Sequence, residues 1–178
     1  MQLITILTVE ELVVAVIKTY PLAEHFLLSV STFVMVGFLF VSYVSQTVIG
    51  IEHHQERAGV PLVYLHIGIL IAINIITAGV EMYYDGQLLE MGSSMVLVGI
   101  TLFYVCLFGT SRYNKEGLQM TKQLAMSYFV VYLIGAILVV LFKNNTLLFF
   151  GILAIQSVSM TRVAFHFRKE WIQENIQF

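Results

Sequence analysis

Charged positions divide this chain into long apolar runs, and the longest, Phe26 to Ile51, holds 26 residues between His25 and Glu52 without one Asp, Glu, Lys or Arg. A bilayer core of about 30 Å needs roughly 20 apolar residues at ~1.5 Å rise each, so this run is long enough to cross with some tilt. Four comparable runs follow. The polar loop from Glu52 to Gly59 separates the first from a second span over Leu62 to Val80, opened by Pro61 as a first-turn helix residue. An acidic segment, Glu81 to Glu90, places Tyr83 and Tyr84 at interface depth and leads to a third span over Met91 to Gly109. The basic loop Thr110 to Lys122 precedes a fourth span, Gln123 to Phe142. Lys143-Asn144-Asn145-Thr146 reads as a tight turn, which makes the fourth span an antiparallel hairpin with a short fifth, Leu147 to about Met160.

The first 23 residues break this pattern, because Glu10, Glu11 and Lys18 interrupt an otherwise apolar stretch. Two carboxylates near the middle of a lone span are costly in hydrocarbon. Thr8 and Glu11 have capping-box spacing, which starts a helix at about Val9, and Pro21 ends it. Leu12, Val13, Val16, Ile17 and Tyr20 then share one face, the pattern of an amphipathic helix lying at the interface. A sixth span with its carboxylates buried against other helices is the alternative. The expected organisation is an all-α polytopic membrane bundle: an interfacial helix over 1–23, about five transmembrane helices within 24–167, and a cytoplasmic tail over 168–178.

Composition agrees with this pattern, since 58% of the 178 residues are hydrophobic and only 11% charged. The net charge of −2, with no Lys/Arg-rich run, argues against nucleic acid as a partner. The distribution of positive charge orients the chain. With five spans, Arg57, Arg112, Lys115, Lys122, Arg162, Arg168 and Lys169 fall on one side and only Lys18 and Lys143 on the other, which puts the N-terminus outside and the C-terminus in the cytoplasm. No cleaved signal peptide is expected, because the N-terminus lacks a basic n-region and carries Glu10 and Glu11 where an apolar h-region would continue. Cys106 is the one cysteine and reads as a small apolar filler.

Polar residues at membrane depth form two helical stripes. On the second span His66, Asn74, Thr77 and Glu81 recur at spacings of 8, 3 and 4, which gives them one face. On the first span Ser31, Ser42 and Ser45 share a face, with Gln46 beside it and Phe38 interrupting it. In one reading the two faces meet and line a polar path for a proton, ion or small solute, formed by His66, Asn74, Thr77, Glu81, Ser42 and Gln46. In the other, Ser31, Phe38 and Ser45 mark helix packing, and Asn74 and Gln46 make interhelical hydrogen bonds worth about 0.6 to 2 kcal/mol each.

Catalytic and metal chemistry find little support in these residues. Glu52, His53, His54 and Glu56 are possible ligands, but they sit in a mixed-charge loop without an HExxH or Cys/His framework. Haem ligation by His25, His54, His66 or His166 across helices is unconstrained by spacing. No GxSxG nucleophile motif and no paired intramembrane carboxylates are present. No metal, cofactor or enzymatic activity is expected.

Three segments in order, LFYVCLFGTS ending at Ser111, SYFVVYLIG from Ser127 to Gly135 and NTLLFFGILAIQS from Asn145 to Ser157, resemble the last three helices of microbial (type 1) rhodopsins. The resemblance implies a rhodopsin-like helix architecture. It does not extend to retinal, because no lysine lies between Lys143 and Lys169 to form the Schiff base. No site residue is carried over from that family. Two function classes remain: a small channel, transporter or transport accessory with a polar intramembrane path, and a membrane subunit or effector of a larger complex. The expected partners are the lipid bilayer and either a second copy of the chain or a larger membrane assembly.

Overall fold

The computed structural model of the protein describes residues 26–52, 59–84 and 88–175. The expected interfacial helix over 1–23, its sixth-span alternative, and His25, His53, His54 and Glu56 lie outside the described residues. Five helices make up the described fold. They are α1 (Phe26–Val44), prolonged by a π-helical turn Ser45–Gly50; α2 (Val60–Tyr84); α3 (Leu89–Gly109), closed by a 3-10 turn Thr110–Tyr113; α4 (Lys122–Leu141); and α5 (Thr146–Asn175). Each contains a stretch long and apolar enough to cross a membrane. The sole strand-like pairing among the described residues is an isolated antiparallel bridge between Ile51 and Asn114.

Local chemistry sets several helix ends. Thr121 caps α4, its hydroxyl accepting from the Leu124 N–H at 3.1 Å, and the Asn145 side chain does the same for α5 by accepting from Leu148 N–H at 3.1 Å. The expected turn between the fourth and fifth spans is therefore present. Two span boundaries differ from those read in the sequence. α2 continues beyond Val80 through Glu81 to Tyr84, and α5 runs far past Met160 to Asn175. A charged residue marks where a span leaves the apolar layer; it does not end the helix, because the backbone ladder is indifferent to a side chain that reaches solvent or a polar partner. Arg168, expected to open the cytoplasmic tail, continues the helix and is buried.

The helices run up and down. At one end the exit of α1 meets the exit of α3, with Glu52 N–H donating to Tyr113 C=O and Lys115 N–H to Gly50 C=O, both at 2.9 Å. At the other end the Tyr83 hydroxyl donates to the Lys143 carbonyl at 2.7 Å, and the Lys143 ammonium reaches Glu90 at 2.6 Å. α2 packs chiefly on α3, α1 on α5, and α4 on α5. The first and last helices run parallel, since Ser42 lies beside Thr161 and Ser45 beside Arg168.

Between these ends the interior is apolar. Met35, Ile69, Ile76, Ile100, Phe103 and Leu153 are buried in one cluster. Near the Lys143 end Tyr83 stacks on Phe149 at 4.5 Å and Tyr84 on Phe150 at 5.0 Å. The exterior is apolar as well: Phe129, Ile134 and Leu141 of α4 and Ile155 of α5 are more than half exposed. An apolar coat around an apolar core is the arrangement a hydrocarbon solvent favours, not an aqueous one.

At the α2–α3 seam the two backbones come into direct contact. A Cβ at Gly79 would stand 2.8 Å from the Val96 backbone nitrogen, and one at Gly92 would stand 2.6 Å from Tyr83 Cα and 2.8 Å from the Gly79 carbonyl oxygen. Only glycine lets the two backbones meet there. Cys106 takes part in the same seam, facing Gly68 from α3, so it is the buried filler that its composition suggested.

Candidate functional site

Buried polar groups gather at the end of the bundle where α1 and α3 terminate. The regular hydrogen-bond ladder of α1 widens there, with Ile51 N–H donating to Gln46 C=O at 3.1 Å across five residues. Such π-helical turns reposition consecutive side chains relative to an α-helix. Here two successive residues, Ser45 and Gln46, both reach the guanidinium of Arg168 from α5. Arg168 Nη1 donates to Ser45 Oγ at 2.5 Å, and Nη2 donates to Gln46 Oε1.

Gln46 is fully used. While its oxygen faces Arg168, its amide nitrogen donates to Thr110 Oγ1 at 3.0 Å and to Asn114 Oδ1 at 2.7 Å. That pattern assigns the amide orientation, because a guanidinium cannot accept a hydrogen bond. Asn114 in turn donates to the Leu118 carbonyl at 2.7 Å, and Thr110 to the Leu107 carbonyl at 2.6 Å. One turn deeper, Ser42 Oγ and Thr161 Oγ1 lie 2.7 Å apart. Thr161 also has the Ser157 and Phe38 carbonyls at 2.9 and 3.2 Å to donate to, so with its single proton committed to them it accepts from Ser42.

Beside this network lies a cavity of about 30 Å3, with Ser42, Gln46, Tyr104, Asn114, Tyr128 and Arg168 in its wall. Arg168 is 6% exposed and, among the described residues, forms no ion pair. Tyr128 is its buried aromatic neighbour. The Tyr104 hydroxyl, on a residue 3% exposed, lies near Ser42 and Ser157 but makes no hydrogen bond of normal length among the described residues.

The two stripes read in the sequence fare differently. Ser42 and Gln46 lie in the network, and Ser45 lies with them as an acceptor for Arg168. Ser31 and Phe38 are half-buried: the Ser31 hydroxyl bonds the Leu27 carbonyl of its own helix, and Phe38 contributes its backbone carbonyl to Thr161. On α2, His66 is buried beside the Tyr43 ring, 5.9 Å away and edge-on, with Nδ1 at 2.8 Å from the Leu62 carbonyl. Farther along, Thr77 is half-buried and bonds the Ile73 carbonyl, while Asn74 and Glu81 are exposed. These four residues therefore do not join Ser42 and Gln46 in one continuous lining. The reason is steric: α2 turns its glycine face to α3, which leaves Asn74 and Glu81 on the outside of the bundle.

Sequence reasoning noted Thr161 as a polar residue of the fifth span but missed Arg168, Tyr104, Tyr128, Thr110 and Asn114 as members of this site. One signal was present, since Ser157, Thr161 and Arg168 recur at spacings of 4 and 7 and share a face of α5. No group of three His, Cys, Asp or Glu side chains poised for a metal exists among the described residues. Comparison with known protein families, with curated proteins and with solved structures finds no match to this chain.

Proposed function

We propose that this chain is an integral membrane protein of the transport-accessory type, which admits a small solute from one face into the Arg168 chamber and is not by itself a pore. The observation that carries the reading is a buried guanidinium held by two parallel helices at one end of a bundle with an apolar exterior. Intramembrane charge of this kind usually marks a solute or ion route. Deeper residues argue against a continuous channel: Leu39, Phe103 and Leu153 are buried within the same apolar cluster. The positive-charge asymmetry supports a cytoplasmic mouth, with the N-terminus outside and the C-terminus inside.

Single-cysteine variants in a Cys106→Ala background test this reading. Ser111 also lines the chamber, so in sealed vesicles of known orientation Ser111→Cys should react with a membrane-impermeant thiol reagent from the cytoplasmic side alone, and Leu39→Cys from neither side. Reaction of Leu39→Cys from both sides would establish a through-path and overturn the reading. A second reading, a subunit of a larger membrane complex, draws on Asn74 and Glu81, polar side chains facing out of an apolar exterior.

A further inference from the structure

We infer that the chamber beside Arg168 binds one small monovalent anion of the halide class. The inference rests on the proposed one-sided access to this chamber and begins from charge balance. Arginine stays protonated in proteins, and an ionised group withdrawn from water is costly unless an opposite charge accompanies it. Arg168 is 6% exposed, its two hydrogen-bonding partners are neutral, and no carboxylate among the described residues pairs with it. Two of its five N–H groups are engaged by Ser45 and Gln46, which leaves donors in hand.

Most of the amide valences at the chamber are already taken. Gln46 Oε1 is taken by Arg168, Asn114 Oδ1 by Gln46, and Asn114 Nδ2 by the Leu118 carbonyl. The buried Tyr104 hydroxyl makes no hydrogen bond among the described residues and has a proton to give. A cation would meet the unbalanced charge of the guanidinium, whereas an anion offsets that charge and accepts from the Tyr104 hydroxyl. Charge narrows the class. The cavity of about 30 Å3 has room for a species of at least water size. One guanidinium balances one negative charge, which suits a chloride or bromide better than a phosphate dianion.

Halide binding is measured on the purified full chain in lipid nanodiscs. Chloride NMR line width and thermal unfolding are followed in sodium chloride or bromide against sodium gluconate at equal ionic strength. A saturable broadening and a Tm rise of several degrees are expected for the wild type. Both should vanish in Arg168→Gln, and the apparent affinity should fall about tenfold in Tyr104→Phe, a change that removes only the hydroxyl. If Arg168→Gln does not fold, Tyr104→Phe alone decides. Equal broadening in wild type and both variants, or none in the wild type, means that the chamber holds water only and overturns the inference. Stabilisation by inorganic phosphate without stabilisation by halide overturns it too. In either case the parent reading survives if the Ser111→Cys labelling stays one-sided.

Discussion

The α2–α3 seam and the α1–α5 seam join neighbouring helices by opposite means. In the first, glycines bring backbone against backbone and no side-chain hydrogen bond is needed: Gly79, Gly92 and Gly99 face Val96, Tyr83 and Ile76. In the second, the contacts run through hydroxyls, an amide and a guanidinium: Ser42 to Thr161, and Ser45 and Gln46 to Arg168. For helices in a bilayer, lipid tails are as apolar as the helices, so association depends on close packing and on interhelical hydrogen bonds. This bundle uses one for each pair. A seam made by shape has no tolerance for added atoms. A seam made by hydrogen bonds tolerates changes in volume but not the loss of a donor. The first therefore serves as scaffold, and the second can be rearranged by a ligand that competes for its donors.

The largest expected effect tests the shape seam. Gly92→Ala would drive a Cβ against the Tyr83 backbone, which cannot rotate away as a side-chain tip could. Overpacking of this kind costs about 1–3 kcal/mol and should sit at the upper end here. Gly37→Ala is the control, because nothing lies within 4 Å of its Cβ position; it should be neutral or stabilise by up to about 1 kcal/mol from helix propensity. Reversible unfolding in mixed micelles measures both. Equal losses at the two positions would show that backbone contact does not hold α2 to α3.

Next comes Arg168→Met, which keeps the length of the side chain but withdraws both donors. Gln46 Oε1 would then be buried without a partner, a penalty of about 1–3 kcal/mol. The same variant should leave the α2–α3 seam intact, so protection of the α2 and α3 amides in hydrogen exchange should persist while that of α1 and α5 falls. Parallel loss across all four helices would dissolve the distinction between the seams.

How much of this was legible in the sequence follows the same division. The five spans were, because an uncharged run of some twenty residues is a statement about solvent that needs no partner. The hairpin between α4 and α5 was, because Asn145 both turns the chain and caps α5. Burial of Ser42 and Ser45 was expected from the polar face they share, with Gln46 beside it. Their partner was not, because Arg168 stands beside Lys169 and Glu170 and so has the look of a solvated end. Nor could the π-helical turn be read, since no residue type specifies it and it forms where Gln46 and the Ile51–Asn114 bridge hold the chain open. On α2 the period of His66, Asn74, Thr77 and Glu81 was real, yet a period says only that residues share a face. Which neighbour receives that face was decided by the glycines.

A finer test separates hydrogen bonding from mere proximity in the α1–α5 seam. In a double-mutant cycle of Ser42→Ala and Thr161→Val, the coupling should be about 0.6 kcal/mol, the usual scale for such pairs between membrane helices. A coupling near zero would assign the α1–α5 contact to Arg168 alone, and the Arg168→Met loss should then account for the whole seam.

The smallest effect on the single bundle is expected from Asn74→Leu, and it is informative for that reason. Asn74 is exposed, and its amide donates at 2.9 Å to the Leu70 carbonyl of its own helix. Removing it costs the bundle no interhelical contact, so stability should change by no more than about 0.5 kcal/mol. An outward-facing amide in an apolar coat can still exchange that local bond for one to another subunit, as can Glu81 at the end of the same helix. Crosslinking in native-like membranes, wild type against Asn74→Leu, distinguishes the cases. An unchanged distribution means that the outer face of α2 meets lipid and the glycine seam is all that α2 contributes. A shift toward monomer with stability unchanged means that α2 carries two seams, one of shape toward α3 and one of hydrogen bonds toward a partner, and the contrast between the two helix pairs becomes a contrast between the two faces of one helix.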